Sequence, residues 1–288
     1  MAGFDVYDSN QRTAVLRYLA NRTLPIVQIE SDGHVRVNMG TATLFEIAGH
    51  GVLVTAAHVI REMHARRGHR DDGLACHFVP QRARSDLRPI PLGGVTLSLK
   101  ERSDRLNQDI GFFALDDETF AELKEHYTSV TPRDLLGGTD QDNGVYVVCG
   151  YPSETTDPHN PEPYTLLVAS YNNEVEPHHP TDPASHLFLS HGPERVELTA
   201  DEVDRTPKRA DDGPRLHGIS GSTVWRVAFT EDSALAWSPD FLHVAAVQTG
   251  YLPGKWIRGT RWSLVAQVIR DHHPDEEVRL AIGRLFRT

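Results

Sequence analysis

Short apolar runs, each closed off by Gly, Pro, Asn or Asp, follow one another along most of this 288-residue chain. Runs of that length, rich in Val, Ile, Leu, Phe and Thr, read as β-strands rather than helices. Residues 24–30, 41–47, 52–55, 74–79, 95–99 and 109–115 make one series of six. Residues 145–149, 164–171, 187–190, 223–227, 244–249 and 255–259 make a second. A polar, Gly-bearing linker at 131–143 separates them, and the segments 152–163 and 176–185 are loops by their Pro, His and Asp content. Strands in such numbers all need partners, and closing each sheet on itself removes the exposed edges. The expected fold is therefore all-β, with two six-stranded antiparallel β-barrels. The two halves show no matching sequence repeat, only similar strand counts.

The helical remainder is small. Residues 9–21 place Val15, Leu16 and Leu19 on one side, with Ser9 as N-cap, and should cover one end of the core. Further helices are expected at 56–66, 117–127, 261–271 and 274–286. Gly49-His50-Gly51 reads as a hairpin turn. The resulting units are an N-terminal helical extension (1–22), a first barrel (23–135), a second barrel (136–260) and C-terminal helices (261–288).

Charge narrows the partners. A net charge of −11 argues against nucleic acid or an anionic membrane as the main partner. No apolar run approaches the length of a membrane span. Residues 1–10 hold two aspartates and no basic residue, which is not a secretory pattern, so the cytoplasm is the expected compartment. Cys76 and Cys149 each sit in an apolar run and read as small buried hydrophobes rather than a disulfide or redox pair. The basic run 61–70 is followed by Asp71 and Asp72 and reads as a solvated helix face. His178-His179, His272-His273 and the His64/His69 pair lack metal-ligand spacing and read as solvated loop histidines, so no metal and no cofactor is expected.

Three fragments carry chemistry. Leu53-Val54-Thr55-Ala56-Ala57-His58-Val59 places a histidine just after an apolar strand. Asn107-Gln108-Asp109-Ile110-Gly111-Phe112-Phe113 places an aspartate at the mouth of another. Leu216-His217-Gly218-Ile219-Ser220-Gly221-Ser222 sets a serine between glycines, where a tight turn exposes the hydroxyl to a base and leaves backbone N–H groups for an oxyanion. Each alone is weak, since Gly and Ser are ordinary turn residues and a lone His or Asp is more often structural. Ser222 is a second candidate nucleophile, but the glycine-flanked setting favours Ser220. Together a serine, a histidine and a carboxylate suffice for acyl transfer.

In the chain order His, Asp, Ser, this set resembles the trypsin-like serine peptidases of chymotrypsin fold. Thr55-Ala56-Ala57-His58 matches the family signature, Gly40-Thr41-Ala42 is similar to the start of the same hairpin in bacterial members, and Gly-Ile-Ser-Gly-Ser stands where the family has Gly-Asp-Ser-Gly-Gly. The resemblance spans residues 24–271. It implies a double barrel with Ser220 as nucleophile, His58 as general base and acid, and Asp109 as orienting carboxylate. It also implies an oxyanion hole from the N–H groups of Gly218 and Ser220. Val247-Gln248-Thr249-Gly250 would pair with the substrate backbone. Pro214 would form the base of the specificity pocket and His217 would also bind substrate; Pro214 gives no support for a strict Lys/Arg preference, with a shifted loop that brings in Asp211 or Asp212 as the alternative. Small or apolar side chains are the expectation before the scissile bond.

Ile219 stands where secreted members keep an aspartate that pairs with a newly cleaved N-terminus, so that activation switch is not expected. The charged insert 194–214 reads as a solvated hairpin, with a regulatory lid or a partner-docking segment as the rival reading. The first functional expectation is a cytoplasmic, bacterial-type serine endopeptidase acting on a peptide or protein substrate and restrained by a regulatory protein partner. The alternatives are a catalytically quiet protease-fold module that binds peptides or proteins, and an esterase or amidase on a small acyl substrate.

Overall fold

The computed structural model describes residues 9–29, 35–67, 74–76, 90–91, 95–97, 109–135, 144–153, 164–169, 185–191, 196–198, 216–227 and 238–285. Helix α1 (Ser9–Ala20) leads into strands β1 (Thr23–Ile29), β2 (Val35–Ile47) and β3 (His50–Ala56). The β2–β3 turn falls at Ala48 and Gly49, both with positive φ (53° and 84°), one residue earlier than the Gly-His-Gly reading. Two consecutive left-handed residues match the right-handed twist of a hairpin. Helix α2 (Ala57–Arg67) follows β3 without a break, and then come β4 (Leu74–Cys76), β5 (Ile90–Pro91), β6 (Val95–Leu97) and β7 (Ile110–Ala114). Helices α3 (Asp117–Lys124) and α4 (Pro132–Leu135) lead to the second set of strands. The second set is β8 (Val145–Gly150), β9 (Tyr164–Ala169), β10 (His186–Ser190), β11 (Val196–Leu198), β12 (Thr223–Val227), β13 (Leu242–Leu252) and β14 (Trp256–Arg261). Helices α5 (Trp262–His272) and α6 (Glu276–Leu285) close the chain.

The fold is mostly β, in two antiparallel sheets. The first runs β5-β4-β1-β2-β3-β7-β6 and the second β10-β14-β13-β12-β8-β9-β11. Each has seven strands, not the six expected, and the described pairings leave both sheets open rather than closed into barrels. The two added strands are short and peripheral. β5 is an end strand of two residues, one of them proline, which an edge tolerates because it has no ladder N–H to give. β11 arises in the charged insert, where Val196-Glu197-Leu198 alternates and pairs with the outer edge of β9.

Without these two, the sheets share one cyclic order. Numbering the remaining strands of each half one to six, both follow 1-2-3-6-5-4, opened between four and five in the first sheet and between two and three in the second. The halves are thus a structural repeat with no sequence trace.

Apolar side chains form three clusters. One lies inside the first sheet around Leu24, Leu44, Leu53, Ile60 and Leu123. Another lies inside the second, around Val148, Leu189, Leu216, Ile219 and Ile257. The third joins the two sheets to the helices: Phe45, Val54 and Phe112 meet Val147, Trp225 and Val247, with α1, α5 and α6 covering the outside. The Phe45 ring stacks on Trp262 of α5 at 4.5 Å between centroids. α1 is pinned by the Tyr18 hydroxyl, which donates to Asp134 at 2.6 Å. The three sequence fragments meet where the two sheets touch.

Candidate active site

His58 sits in the first turn of α2, where β3 runs straight into the helix. Asp109 immediately precedes β7, the neighbour of β3, so sheet pairing alone brings the two residues together. Three hydrogen bonds join Asp109 to the start of α2, two of them from His58. The Ala57 N–H donates to the Asp109 carbonyl at 3.0 Å, the His58 N–H donates to Asp109 Oδ1 at 2.9 Å, and His58 Nδ1 pairs with Asp109 Oδ2. Arg61, one turn along α2, adds its guanidinium to Oδ1 at 3.2 Å. The basic run read as a solvated face therefore gives one of its members to the site. The Asp109 side chain is only 11% exposed. Burial by itself raises its carboxyl, but the His58 hydrogen bond and charge, the His58 N–H and the Arg61 charge outweigh this and hold it below the usual carboxylate value. His58 is oriented by an ionised partner and remains partly open to solvent.

Ser220 belongs to the second sheet and lies on the loop entering β12. Glycines at both sides of it adopt left-handed backbone, Gly218 at φ 93° and Gly221 at φ 95°. The loop is held against the first sheet. The Thr41 N–H donates to the Ser220 carbonyl at 2.9 Å, the Thr41 hydroxyl donates to the Gly218 carbonyl at 2.8 Å, and Thr55 in turn donates to the Thr41 carbonyl at 2.7 Å. A Cβ on Gly221 would fall 2.0 Å from the Thr41 carbonyl oxygen, 2.2 Å from Thr55 Oγ1 and 3.0 Å from the Ala56 nitrogen. Ser220-Gly221 thus abuts the end of β3, two residues ahead of His58. Ser220 Oγ makes no hydrogen bond to His58 among the described residues.

Two further tethers shape this loop. The His217 carbonyl accepts from the Ser153 N–H at 2.7 Å, and the Ile219 carbonyl accepts from Ser222 N and Oγ at 2.9 and 2.6 Å. In a trans peptide the N–H points opposite its carbonyl. The N–H groups of Gly218 and Ser220 are therefore turned away from these anchors, and neither donates to a backbone acceptor among the described residues. Ser222 is spent on the Ile219 carbonyl and is fully buried, so it is a strut rather than a nucleophile. Ile219 is 1% exposed and packs into the second sheet's core.

Of the residues expected to meet substrate, Val247 and Gln248 are already engaged. Val247 is paired on both sides, with Thr223 and Thr260. Gln248 gives its carbonyl to the Gly221 N–H and its N–H to the Ser222 carbonyl, both at 2.8 Å. The described part of β12 ends its pairing with β13 at Val247, so on that side Thr249 and Gly250 begin the open stretch. His217 is exposed beside Gly218, with its ring edge-on to Tyr251. Pro214 lies outside the described residues, as do His69 and His178-His179. His272 is exposed as expected, but His273 is buried at 3% and stacks on Phe112. Among the described residues no group of His, Cys, Asp or Glu could hold a metal ion, and no helix is long and apolar enough to cross a membrane. Cys149 is fully buried, and burial pushes its thiol up to about 11. Thr41, Ser153 and Arg61 were not singled out by sequence for this site. Only the Gly40-Thr41-Ala42 resemblance marked the first.

No family model matches this chain, and no curated protein matches it. Solved structures do. One comes from work on the coupled folding and binding of the Sesbania mosaic virus VPg protein, with 16% identity over 84% of this chain and 87% of the other, and a TM-score of 0.43. Another is the thermostable serine protease AL20 from an extremophilic microorganism, with 11% identity over 86% and 95% and a TM-score of 0.46. Likenesses of that size carry no weight on their own, and the chemistry rests on the geometry above.

Proposed function

We propose that this chain is a serine endopeptidase of chymotrypsin-like architecture, with Ser220, His58 and Asp109 as its triad. The observation that carries the reading is the His58–Asp109 pair set beside a glycine-turned serine, where the Gly218 and Ser220 N–H groups donate to no backbone acceptor among the described residues. The repeated cyclic strand order supports a double-barrel ancestry for the two sheets. Asp109 holds the Nδ1 proton of His58 and so leaves Nε2 as the base. Nε2 takes the Ser220 proton as Oγ attacks the scissile carbonyl. The Gly218 and Ser220 N–H groups receive the oxyanion, and His58 returns the proton to the leaving amine. Water then releases the acyl group by the same steps reversed. The loop is held by neutral hydrogen bonds and by the buried Ile219, so no cleaved N-terminus is required to shape it. A cytoplasmic, bacterial setting and restraint by a protein partner complete the proposal.

One observation favours a second reading, a quiet peptide-binding module: the missing Ser220–His58 hydrogen bond. Such bonds are often long in unliganded enzymes and tighten on substrate. Labelling with a fluorophosphonate probe separates the readings. Wild-type protein should be labelled, and Ser220→Ala and His58→Ala should lose the label, the second by roughly 10⁴-fold or more in rate. Folded wild type that stays unlabelled, or label that survives in Ser220→Ala, would sink the peptidase reading.

A further inference from the structure

Arg258 stands in the middle of β14 and is only 8% exposed. Its guanidinium turns toward the open stretch of β13: Nε donates to Thr249 Oγ1 and Nη2 to the Thr249 carbonyl, both at a long 3.4 Å. A Cβ on Gly250 would lie 3.2 Å from Nη2, so the guanidinium occupies the space that a side chain at 250 would otherwise fill. Among the described residues no carboxylate lies within ion-pair distance of it. Burial disfavours its charge, and the carboxylate of Asp109, on the first sheet, opposes this. Asp109 is already served by His58 and Arg61, so it does not need Arg258 as a partner.

A buried cation without a counter-ion is costly, and such groups are normally paired. We propose that Arg258 receives a carboxylate of the peptide substrate, from an Asp or Glu side chain within a few residues on the N-terminal side of the scissile bond. The side follows from strand direction. A substrate strand added antiparallel to β13 starts at the nucleophile end near Gln248 and runs its acyl-side residues past Thr249 and Gly250. Arg suits the task because its planar fork binds a carboxylate through two parallel hydrogen bonds and cannot lose its charge. The preference it creates is local, since a chain of net charge −11 repels acidic peptides elsewhere.

This inference rests on the peptidase reading for the identity of the occupant, but its test does not need turnover. The full-length Ser220→Ala chain is titrated with a position-scanning octapeptide library. Each pool holds one fixed Glu, or one fixed Gln of nearly the same shape. At one acyl-side position the Glu pools should bind roughly 10- to 100-fold more tightly than the Gln pools. In Ser220→Ala/Arg258→Gln that ratio should fall to about one. Equal binding of Glu and Gln pools at every position overturns the inference, as does a ratio that persists in the double variant. The first comparison uses no Arg258 variant, so a folding defect in the second cannot rescue the idea. Fluorophosphonate labelling of wild type reports separately on the nucleophile: labelling with no Glu preference removes only the Arg258 assignment. A Glu preference without labelling removes only the catalysis.

Discussion

A few atoms decide whether the nucleophile loop can exist. Gly221 has a left-handed backbone and no room for a methyl group, so Gly221→Ala combines backbone strain with a backbone clash and should cost about 2–5 kcal/mol. Gly254 also has positive φ (71°) but faces open space, and Gly254→Ala should cost only about 1 kcal/mol. Denaturant unfolding of the two variants side by side checks the contrast. Thr41 is the other pivotal residue, because its hydroxyl donates to Gly218 and accepts from the Tyr151 N–H at 3.0 Å. Thr41→Val keeps the shape but strands both groups, an expected loss of about 1–3 kcal/mol. It should also slow fluorophosphonate labelling more than its stability loss explains. Stability loss with wild-type labelling would show that this tether does not shape the loop. The residue scale was half legible in the sequence. His58, Asp109 and Ser220 stand out by chemical type in the order of the family they resemble, whereas the contacts of Thr41, Ser153 and Arg258 involve positions that only the tertiary fold brings near.

At the scale of elements, the terminal helices do more than cap. Trp262 anchors α5 on Phe45 of β2, and truncating it to Ala should cost about 3–5 kcal/mol through the cavity left between the sheets and helices. The turn from α5 to α6 is built around His273, whose Nδ1 accepts the Asp275 N–H at 3.1 Å. Burial lowers the affinity of this ring for a proton, as do His50 and Arg279, against the opposing pull of Asp275. The folded state therefore binds its proton at lower pH than the unfolded state. Above pH 6.5, the usual histidine value, both states are neutral and nothing is lost. As pH falls through 6.5 and on to the folded value, the unfolded chain protonates first and stability declines. Thermal unfolding followed over that range should show the decline in wild type and a flatter profile in His273→Gln. Equal slopes would count against the assignment. Sequence reading placed the pair of histidines in a solvated loop because they lack metal-ligand spacing. It had no way to register that Phe112, far away in the chain, offers one of them a stacking face.

Across the whole molecule, the run of short strands was enough to predict two β-halves, and the expected helices fall within a few residues of α1, α2, α3, α5 and α6, whereas α4 (Pro132–Leu135) lies in the stretch read as a linker. The open sheets and their added edge strands were not readable. β5 has two residues, and β11 hides in a stretch whose charge reads as solvated. The shared strand order of the halves was invisible for a related reason, since pairing order depends on backbone hydrogen bonding that unlike side chains satisfy equally well. The halves are nonetheless not independent modules. The serine loop grows from one, while the threonine that braces it grows from the other. Cutting the protein in the 136–143 region and producing the pieces apart would yield a piece holding Ser220 without its brace, and a piece holding His58 and Asp109 without Ser220. Shuffling halves between distant homologues would meet the same obstacle unless residue 41 and the 218–222 segment travelled together as one inherited unit.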